Sequence, residues 1–464
     1  MITSRREFMR GLTATAAGFT GLGRAATAGL LETAGDEAYG RLVADPGGIL
    51  DLPEGFSYRI ISRWGEEMTD GFLVPGLHDG MAAFDGGAGR VVLVRNHEVG
   101  IDSDPNLGPF GPSSERLSRL DPGLLHDRGR DGGPPLGGTT NVVYDPASGE
   151  VIRHFLSLAG TGRNCAGGKT PWNTWITCEE WTQRANERCA ADHGWCFEVP
   201  ASSRVNLVAA RPLKAMGRFN HEAITVSPDG RCVYLTEDRN DGVLYRFVPH
   251  QPGRLAEGGR LQAMVIRDQP SLDTRNWIDP ATERPAVTTG TKLEVSWIDL
   301  EDVEAPEDDL RFRAFDAGAA RFARGEGIWT GHDSIHFACT TGGASRIGQI
   351  FRYRPSPAEG ASEEAENPGT LELFVESQTG GILKNADNLT IAPSGDLFVS
   401  EDSLLGDGVV RIRPDGRLDR FAMNRVSLSE IAGVCFSPDG STLFANIQQQ
   451  GLTLAIQGPW NATT

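Results

Sequence analysis

Six short β-rich strings, each closing on polar residues, recur along the chain and limit what it can fold into. They are Val91–Glu98, Thr174–Glu180, Val233–Asp238, Ile335–Thr340, Leu397–Asp402 and Leu443–Gln448. Each is rich in β-branched or aromatic residues, the composition of a half-buried strand. Three follow another strand and a turn of one type: Ser227-Pro-Asp-Gly230, Ala392-Pro-Ser-Gly395 and Ser437-Pro-Asp-Gly440. Proline presets φ for such a turn and glycine takes the positive φ, so these are hairpins. The copies are spaced irregularly, which implies long insertions between similar units. Repeated antiparallel hairpins at this spacing predict an all-β fold, a six-bladed β-propeller with long inter-strand insertions. A tandem pair of β-sandwiches is the alternative. Helical signal is sparse, the best internal stretch being a weak amphipathic one near 308–323.

The first residues read as an address. Thr3-Ser-Arg-Arg-Glu-Phe-Met9 is a twin-arginine export pattern, followed by a mild apolar stretch and an A-x-A cleavage site at Ala26-Thr-Ala28. Residues 1–28 are therefore expected to be a signal peptide and 29–464 a single propeller domain, periplasmic or secreted. The export machinery would be a transient partner of a chain that works as a monomer. No apolar run approaches the roughly 20 residues of a transmembrane helix, so no membrane span is expected. A net charge of −18, from 44 basic and 62 acidic residues, repels phosphate backbones and argues against nucleic-acid binding. Seven cysteines are an odd number for an oxidising compartment, so at least one is free or bound to something. Cys189 and Cys196, bracketing a short polar loop, are the expected disulfide.

In a propeller hairpin, the residue before the first strand and the residue after the second lie on one face. Counting back six residues from the turn prolines gives Glu222 and Asp387. The matching entries elsewhere are Asp79, Cys165 and Glu326. The return ends supply Asn96, His97, Glu98, Glu179, Glu180, Glu237, Asp238, Glu401 and Asp402, while the sixth copy has Ala432 and Gln448. Carboxylates this crowded would not all ionise without compensation, and multivalent cations are the simplest source of it. Hard oxygen donors suit Ca²⁺. A thiolate at Cys165 favours iron or zinc there. No CxxC, HExxH, Walker or GxSxG pattern is present.

Asn164-Cys-Ala-Gly-Gly168, Thr170–Glu180, Gly217-Arg-Phe-Asn-His-Glu-Ala223, Arg324-Gly-Glu-Gly327 and Asn385-Ala-Asp-Asn388 resemble motifs of the PhoX-type alkaline phosphatases. The resemblance runs from about residue 45 to the C-terminus. It implies a propeller carrying iron(III) and calcium ions bridged by an oxo group, and hydrolysis of phosphomonoesters and of some diesters. Carried over by motif, Cys165, Glu222, Glu326 and Asp387 would hold Fe³⁺. Glu98, Glu179, Glu180, Glu237, Asp238, Glu401 and Asp402 are then the Ca²⁺ candidates, and Arg324 would bind the substrate phosphate. The residues alone leave two alternatives open: a calcium-dependent propeller hydrolase of lactonase or phytase type, and a non-enzymatic secreted calcium-binding propeller.

Overall fold

A computed structural model describes residues 39–460, apart from 131–132, 278–284 and 404–405. The twin-arginine segment lies outside the described residues. The regular structure of the described chain is almost all β-strand, joined by long loops. The amphipathic stretch near 308–323 contributes one short helix, Leu310–Asp316. No helix among the described residues is long and apolar enough to cross a membrane.

The recurrent hairpins form as the turn chemistry dictates. Gly230, Gly395 and Gly440 all take positive φ, and each donates its N–H back to the residue three before it at 2.8–2.9 Å. Each hairpin pairs an inner strand with one of the six recurrent strings. The inner strands are His78–Gly87, Asn164–Lys169, His221–Val226, Gly325–Thr330, Ala386–Ile391 and Ile431–Phe436. Each packs on the next, and the last packs on the first, so they close a ring. The sheets radiate outward from it in a propeller-like arrangement.

Two sheets are four-stranded and one three-stranded. A fourth has six strands, because the short N-terminal strands Leu42–Val43 and Leu50–Pro53 add to its outer edge. The third and fourth hairpins belong to a single nine-stranded sheet, since Lys292–Asp299 pairs with Gly259–Ile266 on one side and Thr370–Glu376 on the other. Strand Ser57–Arg63 pairs with the C-terminal Leu452–Gln457, so one sheet draws strands from both ends of the described chain and fastens the ring.

Apolar residues pack between successive sheets. Ala82, Val92, Val94 and Phe155 meet Trp175, Trp195 and Phe197 across one interface. Near the axis the inner strands approach backbone to backbone. A Cβ on Gly80 would sit 2.5 Å from the Ala166 Cα, and one on Gly327 would sit 2.7 Å from the Asn388 Cα. At Gly80 and Gly327 the close backbone approach therefore requires glycine, while the corresponding places in the neighbouring strands hold Ala166 and Asn388.

Candidate active site

The inner strands share one register. Asp79, Cys165, Glu222, Glu326, Asp387 and Ala432 each occupy the second position of their strand. In every hairpin the pairing with the outer strand shifts immediately after the strand's start, between His78 and Met81, Asn164 and Gly167, His221 and Ile224, Gly325 and Ile328, Ala386 and Leu389, and Ala432 and Cys435. Such bulges re-aim a side chain. Here they sit beside the polar residues at the end of the ring.

A second set lies at the return ends. The N–H groups of Glu98, Glu180, Asp238, Thr340, Asp402 and Gln448 donate to the carbonyls of Leu77, Arg163, Asn220, Arg324, Asn385 and Glu430, at 2.9–3.3 Å. Those acceptors each precede an entry residue by two, and Leu77, Arg163, Arg324 and Asn385 hold positive φ to make the turn. The repeat therefore gives three equivalent places per hairpin. Arg163 and Arg324 occupy the same one.

These residues meet. Cys165 Sγ is 3.4 Å from Glu222 Oε1 and 3.8 Å from Asp79 Oδ1. Ligand atoms of Cys165, Glu180 and Glu222 all lie within 4.8 Å of one another, as do those of Asp79, Glu98 and Glu430. The carboxyl groups of Glu180 and Asp238 are in hydrogen-bonding contact, as are those of Glu326 and Asp387. Arg324 forks onto Asp238 through Nε (2.5 Å) and Nη2 (3.0 Å), and Nη2 also reaches Glu326 at 2.9 Å. Arg163 bridges Glu98, at 2.8 Å, and Glu180 in the same manner. Gln448 Nε2 donates to Asp79 at 2.7 Å and Glu98 at 3.0 Å.

Carboxylates outnumber these two guanidiniums, and the protonation equilibria reflect it. Burial, reinforced by neighbouring carboxylates, pushes Asp79, Glu222 and Glu326 well above the usual carboxylate range and drives the Cys165 thiol up. Burial lifts Glu180 to about 8 despite Arg163, and Asp387 to about 6 despite Arg324. At Asp238 the Arg324 fork outweighs burial and holds the carboxyl below its ordinary value. A buried donor set of oxygens and one sulfur, with carboxyls sharing protons, is chemically matched to multivalent cations.

Three of the expected calcium candidates lie elsewhere. Glu179, Glu237 and Glu401 end their strands one residue earlier, and strand alternation turns them away from their neighbours into the sheets. Glu179 accepts from Gly162, Gly194 and Trp195 N–H groups and from His193 Nδ1 at 2.6 Å. Glu237 takes the Tyr245 hydroxyl at 2.9 Å and Arg311 at 3.4 Å. Glu401 holds Lys384 N, Gly408 N and Arg420. These carboxylates fasten loops. Asn96 and His97 do likewise, Asn96 tying Trp175 to the backbone carbonyls of Cys165 and Ala166. The Cys189–Cys196 disulfide is also not formed, and all seven cysteines are free. Cys189 sits beside Asp127 and His193, whereas Cys196 faces Cys178.

Sequence reasoning missed Arg163, Asn220 and Glu430 as members of the site. It also placed Asp79 at an entry position without counting it as a ligand. The signal for Arg163 was its spacing two residues before Cys165, the same as Arg324 before Glu326. Beside Glu180 and Arg163 a cleft of about 460 Å³ opens, lined further by Trp181, Asn220, Arg239 and Asp308.

The sequence matches the family model for alkaline phosphatase PhoX over residues 37–451. No curated protein sequence matches it. Among solved structures, PhoX of Pseudomonas fluorescens in complex with vanadate, a transition-state analogue, is similar at 17% identity and a TM-score of 0.63. That match covers 89% of this chain and 97% of the other. A gluconolactonase of Xanthomonas campestris aligns at 14% identity and a TM-score of 0.40, over 91% of this chain and 98% of the other.

Proposed function

From the membership of this chain in the alkaline phosphatase PhoX family, we propose that this alkaline phosphatase cleaves phosphomonoesters at a cluster of Fe³⁺ and Ca²⁺ ions on the axis of a six-bladed propeller. The blades are the hairpins built on the six inner strands, the third and fourth being joined by Lys292–Asp299. Cys165, Glu222, Glu326 and Asp387 would hold iron, with Asp79 beside them. Glu98, Glu180, Asp238 and Asp402 are left for calcium. When bound, such ions supply Lewis acidity toward phosphoryl oxygens and a nucleophile at neutral pH.

The observation that carries this reading is the thiol of Cys165 packed against Glu222 and Asp79 inside a buried carboxylate cluster. Calcium-only hydrolases have no use for a thiolate there. The chain's own residues bind and orient. Arg324 Nε and Nη2 are pinned by Asp238 and Glu326, which fixes the guanidinium plane. With that edge held, the guanidinium can present its remaining N–H groups to phosphate oxygens at a fixed angle, and in a protein of net charge −18 it supplies positive charge where the dianion needs it. Arg163 sets Glu98 and Glu180 in the same way one hairpin earlier. The cleft beside Glu180 gives the ester's organic group room. The twin-arginine leader fits export of a folded, metal-loaded protein.

Metal analysis together with hydrolysis of a chromogenic phosphomonoester tests the proposal. We expect iron and calcium, and a visible sulfur-to-iron absorption that Cys165→Ser bleaches along with activity. Calcium without iron, and activity retained in Cys165→Ser, would count against it.

A further inference from the structure

Cys178 and Cys196 lie directly opposite each other on the antiparallel strands Thr174–Glu179 and Cys196–Pro200. The Glu179 N–H bonds the Trp195 carbonyl at 3.0 Å, and the Cys196 carbonyl accepts from Leu213 N instead of from Cys178. Cys178 and Cys196 are therefore the non-hydrogen-bonded pair, whose Cα atoms approach to about 4.5 Å. That lies within the span a disulfide bridges. The sulfurs are already 3.7 Å apart. His221 Nδ1 is 3.4 Å from Cys196 Sγ, and its Nε2 is engaged by the Gly217 carbonyl at 3.0 Å. With Nε2 as the donor to Gly217, Nδ1 is the nitrogen that accepts from Cys196. All three side chains are buried among Ile176, Leu213, Met216 and Phe219.

We infer that Cys178 and Cys196 are a redox pair that closes to a cross-strand disulfide under peroxide. The Cys196 sulfur attacks one oxygen of hydrogen peroxide and breaks the O–O bond, giving a sulfenic acid and one water, with His221 Nδ1 relaying the Cys196 proton. Cys178 Sγ then displaces the hydroxyl, which leaves with the Cys178 proton as the second water. Two thiols are oxidised and one peroxide is reduced to two waters. The product is neutral and suits an apolar pocket. A peroxide is also small enough for a site that a bulky disulfide oxidant would not enter.

The other five cysteines are placed differently. Cys165 faces Glu222, Cys189 faces His193, Cys339 and Cys435 are buried in other sheets, and Cys232 is buried just before the strand Val233–Glu237. The position of the pair gives its closure a reach. Cys178 lies two residues before Glu180, so the bond would tie the strand that leads into Glu180 to Cys196–Pro200, alongside the strand that carries Glu222. This inference does not depend on the metal assignment above.

The test treats the metal-loaded protein with hydrogen peroxide, quenches it in acid, and maps peptides without reduction. The expected result is a linked Cys178–Cys196 peptide, a mass loss of about 2 Da for the two hydrogens removed, and five remaining thiols. Cys178→Ser, which cannot close the bond, should accumulate a dimedone-trappable sulfenic acid at Cys196. Cys189→Ser should link as the unmodified chain does, and it serves as the readout should Cys178→Ser fail to fold. Seven intact thiols after treatment, a link through Cys189, or a zinc ion released from this pair on adding a thiol-modifying reagent would each overturn the inference.

Discussion

Glu179 and Glu180 are neighbours in sequence, equally acidic and both buried, yet they do opposite work. Glu179 has four donors within 3.2 Å, and His193 overrides burial to hold it below its ordinary pKa. Glu180 shares its surroundings with Asp238 and Glu98, and burial drives it up to about 8. Glu237 and Asp238 repeat the division, with Glu237 turned to Tyr245 and Arg311, and Asp238 forked by Arg324. One step along a strand reverses the face of a side chain. The first carboxylate of each pair is thereby a fastener whose partners are protein groups. The second belongs to the central cluster of carboxylates, where Arg163 and Arg324 are its guanidinium partners.

The largest test of that division is removal of the cations. Exhaustive chelation should cost at least about 10³-fold in kcat, the rate equivalent of several kcal/mol of charge stabilisation. It should also lower Tm by on the order of 10 °C, because the central carboxylates would then repel or take up protons. The fasteners need no metal, so the circular-dichroism signature of the sheets should survive. Unchanged Tm and turnover after chelation would erase the distinction. Arg324→Lys should come next, with the fold kept and kcat/KM down on the order of 10²-fold, since a point charge replaces the fork that Asp238 and Glu326 orient.

A paired substitution sharpens the comparison further. Glu179→Gln should cost about 3–5 kcal/mol of stability in denaturant titrations, the usual result of stripping one partner from a buried ion pair. Its kcat/KM should stay within about threefold of the unmodified enzyme where the protein is folded. Glu180→Gln should do the reverse, losing metal and activity while its metal-free form is no less stable than the unmodified one. Matching losses from the two variants would mean that alternation does not separate their roles.

How far this was legible in the sequence follows from the same alternation. The hairpins could be read because Pro-x-Gly turns and β-branched strings are local signals, and the entry residues could be read because the turn prolines give a fixed count back. The bulge after each entry residue was not legible, since it depends on how inner strands crowd the axis. Without that register, Glu179, Glu237 and Glu401 looked interchangeable with Glu180, Asp238 and Asp402. Arg163 escaped for another reason. Its role depends on Glu98, 65 residues earlier, and on Glu180, which the packing of the first hairpin on the second brings together. The proposed cysteine link failed because short sequence spacing stood in for cross-strand register, and register pairs Cys196 with Cys178.

The finest test concerns what Glu179 is fastened to. His193 lies between Glu179 at 2.6 Å and Asp127 at 3.2 Å, fully buried with both. Burial disfavours its charge, but the two carboxylates outweigh that and lift His193 to about 11, while the same contact and backbone N–H groups hold Asp127 at about 2. A histidine raised in this way contributes fully below its unfolded value of 6.5, and the contribution is lost as pH rises through about 11. Asp127 contributes fully above 3.8 and loses it as pH falls through about 2. The triad is therefore at full strength between those windows and weakens steadily above pH 6.5. His193→Gln keeps a donor but cannot be charged, so Tm of the metal-loaded protein should fall by a few °C near pH 6 and by less near pH 9. An equal fall at both pH values would show that His193 acts there as a neutral packing group, and that Glu179 is held by the backbone N–H groups alone.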